Sequence, residues 1–222
     1  MLNSLLTTIL DIIYPPKCPV CKVAVETHGV WCDRCFSGVF SVREINVFQH
    51  KLKYLDSCLT VCEYAGGLKT VIHAIKFRQA NHYARSLQWM LEKGVDSQRF
   101  KAIDIVIPVP LHPDRLKERG YNQTELIFKA WSKQQGWQWC DDYLIRNRPT
   151  IPQWELKLSE RRQNIKNAFA IIEDTAEING KSVLLVDDII TTGTTMNECA
   201  KVLKKAGAVR VLGLALASGA PY

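Results

Sequence analysis

The chain alternates continuous apolar runs with stretches in which apolar residues recur every three or four positions. Val183, Leu184, Leu185 and Val186 form one such run after a turn signal at Asn179-Gly180, as a strand buried on both faces requires. Ile103 to Val109 reads as a second strand, and further strands are expected from Ala168 to Ile172 and from Val209 to Ala215. Leu68, Val71, Ile72 and Ile75 make one amphipathic helix, and Tyr83, Leu87, Met90 and Leu91 another. A third centres on Leu126, Ile127, Ala130 and Trp131, and a fourth on Cys199, Val202, Leu203 and Ala206, with Gly207 as its stop. From residue 57 onward this alternation predicts an α/β fold with a largely parallel sheet and helices on both faces.

The start of the chain is different. Leu2, Leu5, Leu6, Ile9, Leu10, Ile12 and Ile13 predict a packed amphipathic helix ended by Pro15-Pro16. No basic segment or small-residue cleavage site accompanies the run, and it is too short for a bilayer, so neither export nor membrane insertion is expected. A cytoplasmic location with reduced cysteines follows. At 222 residues the chain suits one α/β domain with an appendage, divided at residues 1–50 and 51–222. The net charge of +7 suggests phosphate-bearing partners.

Cys18-Pro-Val-Cys21 and Cys32-Asp-Arg-Cys35 form two CxxC pairs separated by ten residues. Each pair makes a tight turn that aims two thiolates at one point, and two turns complete the tetrahedron zinc prefers. A structural zinc is favoured, with redox or iron–sulfur use as the alternatives. His28 lies between the pairs and is expected to be a bystander. Cys58 and Cys62 fall on a strand, which is poor chelating geometry, and with Cys140 and Cys199 they read as small buried hydrophobes.

The strongest chemical signal is Val183 to Thr195. Asp187 and Asp188 stand at the carboxyl end of a buried strand, where open parallel sheets bind ligands, and can accept hydrogen bonds from ribose hydroxyls or face magnesium. Thr191, Thr192, Gly193, Thr194 and Thr195 offer backbone N–H groups and hydroxyls to a phosphate just before a helix. These acids read as surface groups whose removal should spare the fold. Gly180-Lys181-Ser182 resembles the tail of a P-loop, but Thr175 stands where a glycine is required and the segment precedes its strand. No GxGxxG occurs.

Two further segments bear on this site. After the Ile107-Pro108-Val109-Pro110 strand end, Arg115, Lys117 and Arg119 could meet a diphosphate or could form an exposed basic face. His112 reads as a surface residue. Residues 158–169 show no clean helical stripe and read as a mobile flap carrying Arg161, Arg162 and Asn164, or as a solvated charged loop.

The strand, two acids, apolar pair and Thr-Thr-Gly resemble the phosphoribosyl pyrophosphate (PRPP) fingerprint of type I phosphoribosyltransferases. With the four-cysteine ribbon, the Pro-Val-Pro loop, Arg-Gly-Tyr-Asn-Gln, Glu-Arg-Arg-Gln-Asn and Ala168-Phe169, nearly the whole chain resembles the ComF family of competence-type proteins. The resemblance implies a type I phosphoribosyltransferase-like sheet behind a zinc ribbon, binding magnesium PRPP. The 5′-phosphate would lie on Thr191 to Thr195 and the ribose hydroxyls on Asp187 and Asp188. It also implies a bacterial role in handling incoming single-stranded DNA, near a competence helicase. Purine salvage relatives place an acid where Thr191 stands, and no C-terminal hood is expected before Tyr222, so the acceptor is undefined. Three functions therefore stay open: a PRPP-binding, DNA-handling module, an active transferase for an unidentified base, and a zinc-ribbon adaptor. In the first, basic clusters at residues 115–119, 146–148 and 161–166 would track the DNA backbone, and Trp137, Trp139 or Trp154 would stack on its bases.

Overall fold

The computed structural model describes residues 11–150, 158–172 and 176–219. Among these, six strands form one sheet: β1 (Phe40–Glu44), β2 (Ser57–Glu63), β3 (Ile105–Pro108), β4 (Gln138–Trp139), β7 (Ser182–Ile190) and β8 (Arg210–Ser218). Their order is β1-β2-β8-β7-β3-β4, and every neighbouring pair is parallel except β1 with β2. Strand alternation decides which side chain faces which layer. Leu184 and Val186 of β7, with Leu212, Leu214 and Leu216 of β8, face one core. Val183 and Leu185, with Val211 and Ala215, face a second core on the opposite side. Val183, Leu184, Leu185 and Val186 are all fully buried. This explains why the strand reads as a continuous apolar run and not as an alternating one.

Helices α2 (Gly66–Phe77), α3 (Ala84–Gly94) and α5 (Gln123–Gln134) bury their apolar stripes in the first core. Helix α7 (Thr194–Lys205) covers the second through Met196, Cys199, Ala200 and Leu203. The remaining helices are α1 (Asp33–Ser37), α4 (Pro113–Arg119) and α6 (Leu158–Ile165). The mainly parallel sheet with helices on both faces is the architecture the periodicity predicts.

Three expectations change. The strand near Ala168 to Ile172 exists as β6 (Phe169–Ile171), but it pairs antiparallel with β5 (Leu144–Arg146) in a separate sheet. Periodicity marks a strand without naming its partner. The segment expected as a flap or loop contains helix α6, which docks the fully buried Ile165 in the second core. Arg148 Nη2 donates to Asn164 O at 2.7 Å and to Lys166 O at 2.9 Å, capping carbonyls at the helix end. Tertiary contacts supply what the amphipathic stripe lacks. At the start of the chain, residues 11–13 are helical and the helix stops before Pro15-Pro16, but Ile12 and Ile13 are 76% and 60% exposed instead of packed. Residues 1–10, with the rest of that predicted helix, lie outside the described residues. No helix among the described residues is long and apolar enough to cross a membrane.

Candidate functional site

The first chemical cluster is the ribbon. Cys18, Cys21, Cys32 and Cys35 place their sulfurs within 4.8 Å of one another, and Cys21 Sγ lies 3.5 Å from Cys32 Sγ. Tetrahedral zinc with ~2.3 Å bonds separates its sulfurs by roughly 3.8 Å, so the donor set fits that ion. The first pair is held by a turn in which Cys18 N donates to Val23 O at 2.9 Å and Lys22 adopts a φ of 63°. The second opens α1, with Phe36 N donating to Cys32 O at 2.9 Å. Burial opposes ionisation of Cys18, but backbone N–H groups of Cys32, Cys21 and Val20 outweigh it and bring the thiol down to about 6. A thiolate ligand is thereby favoured at this corner. His28 Nε2 instead faces Asp11 Oδ1 at 3.0 Å. Cys58, Cys62, Cys140 and Cys199 are all buried, as small hydrophobes are, and burial pushes the Cys58 thiol up to about 12.

The second cluster is a cleft of about 850 Å³ at the carboxyl ends of β3 and β7. Register brings these ends level: Pro108 pairs with Val186, and Val109 N donates to Val186 O at 2.9 Å. Asp187 and Asp188 therefore emerge beside the Pro-Val-Pro loop. Asp187 Oδ1 accepts from Asp188 N at 2.8 Å and from Thr124 Oγ1 at 3.4 Å. Burial, then the charge of Asp188, pushes the Asp187 carboxyl well above the usual carboxylate range, against the pull of Lys76. Asp188 is not a surface acid. Its side chain is 4% exposed and its Oδ2 lies 2.6 Å from Lys76 Nζ, an ion pair too poorly aligned to count as a hydrogen bond. The expectation that removing these acids spares the fold is corrected accordingly, because a buried pair broken on one side leaves a buried charge.

Thr191 to Thr195 also line the cleft. Gly193 adopts a φ of +72° as the N-cap of α7 and offers no capping side chain; Thr194 N donates to Thr192 Oγ1 at 3.5 Å, and the positive end of the helix faces the cleft, where an anion is favoured. Thr192 Oγ1 and Thr194 Oγ1 are 2.8 Å apart. The loop is braced from behind by Leu52 and by Tyr54 N donating to Asn197 Oδ1 at 3.1 Å.

Arg115 and Arg119 reach the same cleft from α4, whereas Lys117 does not line it. His112 caps α4 through Nδ1, which accepts from Asp114 N at 3.3 Å; with a side chain 15% exposed, it is a capping group more than a surface residue. Asn122 ties this segment together, accepting from Thr124 N at 3.0 Å and donating to Val109 O at 3.2 Å. The Arg-Gly-Tyr-Asn-Gln motif thus fixes the turn between α4 and α5. Asn164 lies on α6, and the side chains of Arg161 and Arg162 lie outside the described residues.

Sequence reasoning missed one wall and misplaced one arginine. Tyr64, Lys69, His73, Lys76 and Phe77, at the end of β2 and along α2, line the cleft. Spacing of about one helical turn from 69 through 73 to 77 was the available signal. Arg146, expected in a backbone-tracking cluster, points into the cleft, where its Nη2 donates to Thr150 Oγ1 and burial lowers its pKa. Its neighbour Arg148 is spent on the α6 carbonyls. Trp137 packs 5.2 Å from Trp131, Trp139 Nε1 donates to Asp141 Oδ2 at 3.0 Å, and both rings are partly buried against the first core. Trp154 lies outside the described residues.

A double zinc ribbon domain model matches residues 9–45 and a phosphoribosyl transferase domain model matches residues 150–218. The chain is 36% identical over 213 residues to Competence protein F of Haemophilus influenzae, covering 91% of this chain and 85% of that protein. It is 32% identical over 199 residues to DNA utilization protein YhgH of Escherichia coli O157:H7, covering 87% and 86%. Among solved structures, the glutamine PRPP amidotransferase from B. subtilis complexed with ADP and GMP is 21% identical with a TM-score of 0.39, covering 65% of this chain and 30% of that one.

Proposed function

Because the chain belongs to the ComF/YhgH family, in which a double zinc ribbon accompanies a phosphoribosyltransferase domain, we propose that its cleft binds magnesium PRPP or a related phosphoribosyl ligand and that the protein handles incoming single-stranded DNA. The observation that carries the ligand reading is the convergence in one cleft of Asp187, Asp188, the Gly193 end of α7 and three arginines. Five cationic side chains, Lys69, Lys76, Arg115, Arg119 and Arg146, line it against two carboxylates, which suits a polyanion.

Each group has a task in this reading. The Thr191 to Thr195 loop receives the 5′-phosphate on N–H groups at the start of α7. Asp187 and Asp188 accept from the ribose hydroxyls, and the charge of the Asp188 carboxylate stabilises positive charge developing at the anomeric carbon. Arg115 and Arg119 meet the diphosphate. Asp187 and Asp188 are the carboxylates that could face magnesium, whose contribution when bound is to neutralise the leaving diphosphate.

The DNA role is drawn from the names of the relatives and from the net charge of +7. A second reading, an active transferase for an unidentified nucleobase, is favoured by the α2 wall, where Tyr64, His73 and Phe77 line the cleft as an aromatic face. One experiment tests both: pyrophosphate release from magnesium PRPP with each nucleobase and with single-stranded DNA, alongside calorimetric PRPP binding. Binding without release supports the module, and release with one base supports the transferase. No binding refutes the ligand reading.

A further inference from the structure

Lys76 has no place in the strand, acid, acid and loop pattern, yet it makes the closest charged contact in the cleft, 2.6 Å from Asp188 Oδ2 with side chains 19% and 4% exposed. A buried pair repays its desolvation only when well aligned hydrogen bonds complete it, and Asp188 Oδ2 has none. The ammonium is nevertheless placed firmly. One residue before it, Ile75 O accepts from Tyr121 Oη at 2.5 Å, and one residue after it the Phe77 ring lies 5.7 Å from the Arg119 guanidinium. These two contacts clamp the last turn of α2 to the segment that carries Arg115 and Arg119. Lys76, Asp188, Arg115 and Arg119 therefore line one cleft, with the lysine paired to the carboxylate assigned to ribose and its helix end held against the segment of the arginines assigned to the diphosphate.

We propose that Lys76 is a ligand-contacting residue that makes the cleft select phosphoribosyl ligands carrying an anionic group at the anomeric carbon. In the free cleft its ammonium holds Asp188. When ribose hydroxyls take over that carboxylate, the ammonium passes to the anomeric phosphate or diphosphate beside Arg115 and Arg119. A sugar phosphate without that group must break the pair and offers the ammonium nothing in return. The inference rests on the phosphoribosyl reading of the cleft.

Calorimetry of the full chain with PRPP and with ribose 5-phosphate, both with magnesium, tests it in the wild type, K76M, K76Q and K76R. The wild type should prefer PRPP. K76M should lose about 10- to 100-fold in PRPP affinity, the worth of one charge-assisted hydrogen bond, while ribose 5-phosphate binds as well or better. K76R should recover much of the preference. K76Q keeps a donor for Asp188 without the charge, and should show the same collapse if K76M does not fold. A parallel loss of both ligands, as a purely structural lysine would give, or an unchanged preference overturns the proposal while leaving the ligand reading intact. A wild type that binds neither ligand overturns both.

Discussion

Gly193→Ala should cost the protein about 2–5 kcal/mol of stability and weaken phosphate binding with it. The backbone share comes from a φ of +72°, which costs an alanine about 1–2 kcal/mol. The packing share comes from Leu52: a Cβ on residue 193 would lie 2.7 Å from its Cδ1 and 2.8 Å from its Cδ2. Leu52 is 3% exposed and cannot swing aside freely, so overpacking adds about 1–3 kcal/mol. Relief of the clash must move the loop, which is also the N-terminal end of α7. Urea unfolding of G193A, L52A and the double variant separates the two shares. L52A alone should cost about 2–5 kcal/mol as a buried leucine truncation. The double variant should cost less than the sum by about 1–3 kcal/mol, because the smaller side chain removes the clash. Stability of G193A within about 0.5 kcal/mol of wild type, or additivity within that margin, would refute the packing argument.

Metal analysis should find one zinc per chain at Cys18, Cys21, Cys32 and Cys35, and a ratio near zero or two would remove the assignment; Cys32→Ser should chiefly unfold residues 1–45. Asp187→Asn with Asp188→Asn should abolish calorimetric PRPP binding. Asp188→Asn alone should cost about 1–3 kcal/mol in urea unfolding, less than a fully buried broken pair because Lys76 keeps 19% exposure; a neutral effect would deny the ion pair. Because the Asp187 carboxyl is raised in the folded state, the native protein holds a proton that the unfolded chain releases. This group's contribution is therefore most favourable at low pH and is lost as pH rises from near 3.8 through the raised value. Asp187→Asn should flatten that fall in urea midpoints as pH rises from near 3.8, and an unchanged pH slope would contradict the burial argument. With ~4 phosphate contacts, single-stranded DNA affinity should fall with a log–log salt slope of roughly −3 in fluorescence anisotropy. Absence of binding at low salt would leave the transferase or the adaptor reading.

The elements that carry the proposed phosphoribosyl site were legible because they are local. A buried strand, two acids at its end and a glycine before a helix fall within Val183 to Thr195, and each has a physical reason independent of distant residues. The paired CxxC turns are legible for the same reason. The pairing of β6 and the docking of α6 were not, because a short strand needs a partner to be placed and a helix without an apolar stripe needs a neighbour to stabilise it. Burial of Asp188 escaped likewise, since its neutralising cation is 112 positions away in the chain.

Lys76 shows where local reading must stop. Its helix was predicted from Leu68, Val71, Ile72 and Ile75, the buried stripe, and such a stripe says only that the opposite face is wet. Whether that face meets solvent or a cleft depends on β2 lying beside β8 and β8 beside β7, and on Tyr121 holding the helix end against α5. These are contacts between segments that share no local pattern. The same topology that brings α2 over the sheet's carboxyl edge turns lysine, histidine and phenylalanine from an ordinary solvated face into a wall of the site. Residues on the polar faces of helices that border a strand end are therefore the places where this fold brings side chains into the cleft that no fingerprint includes.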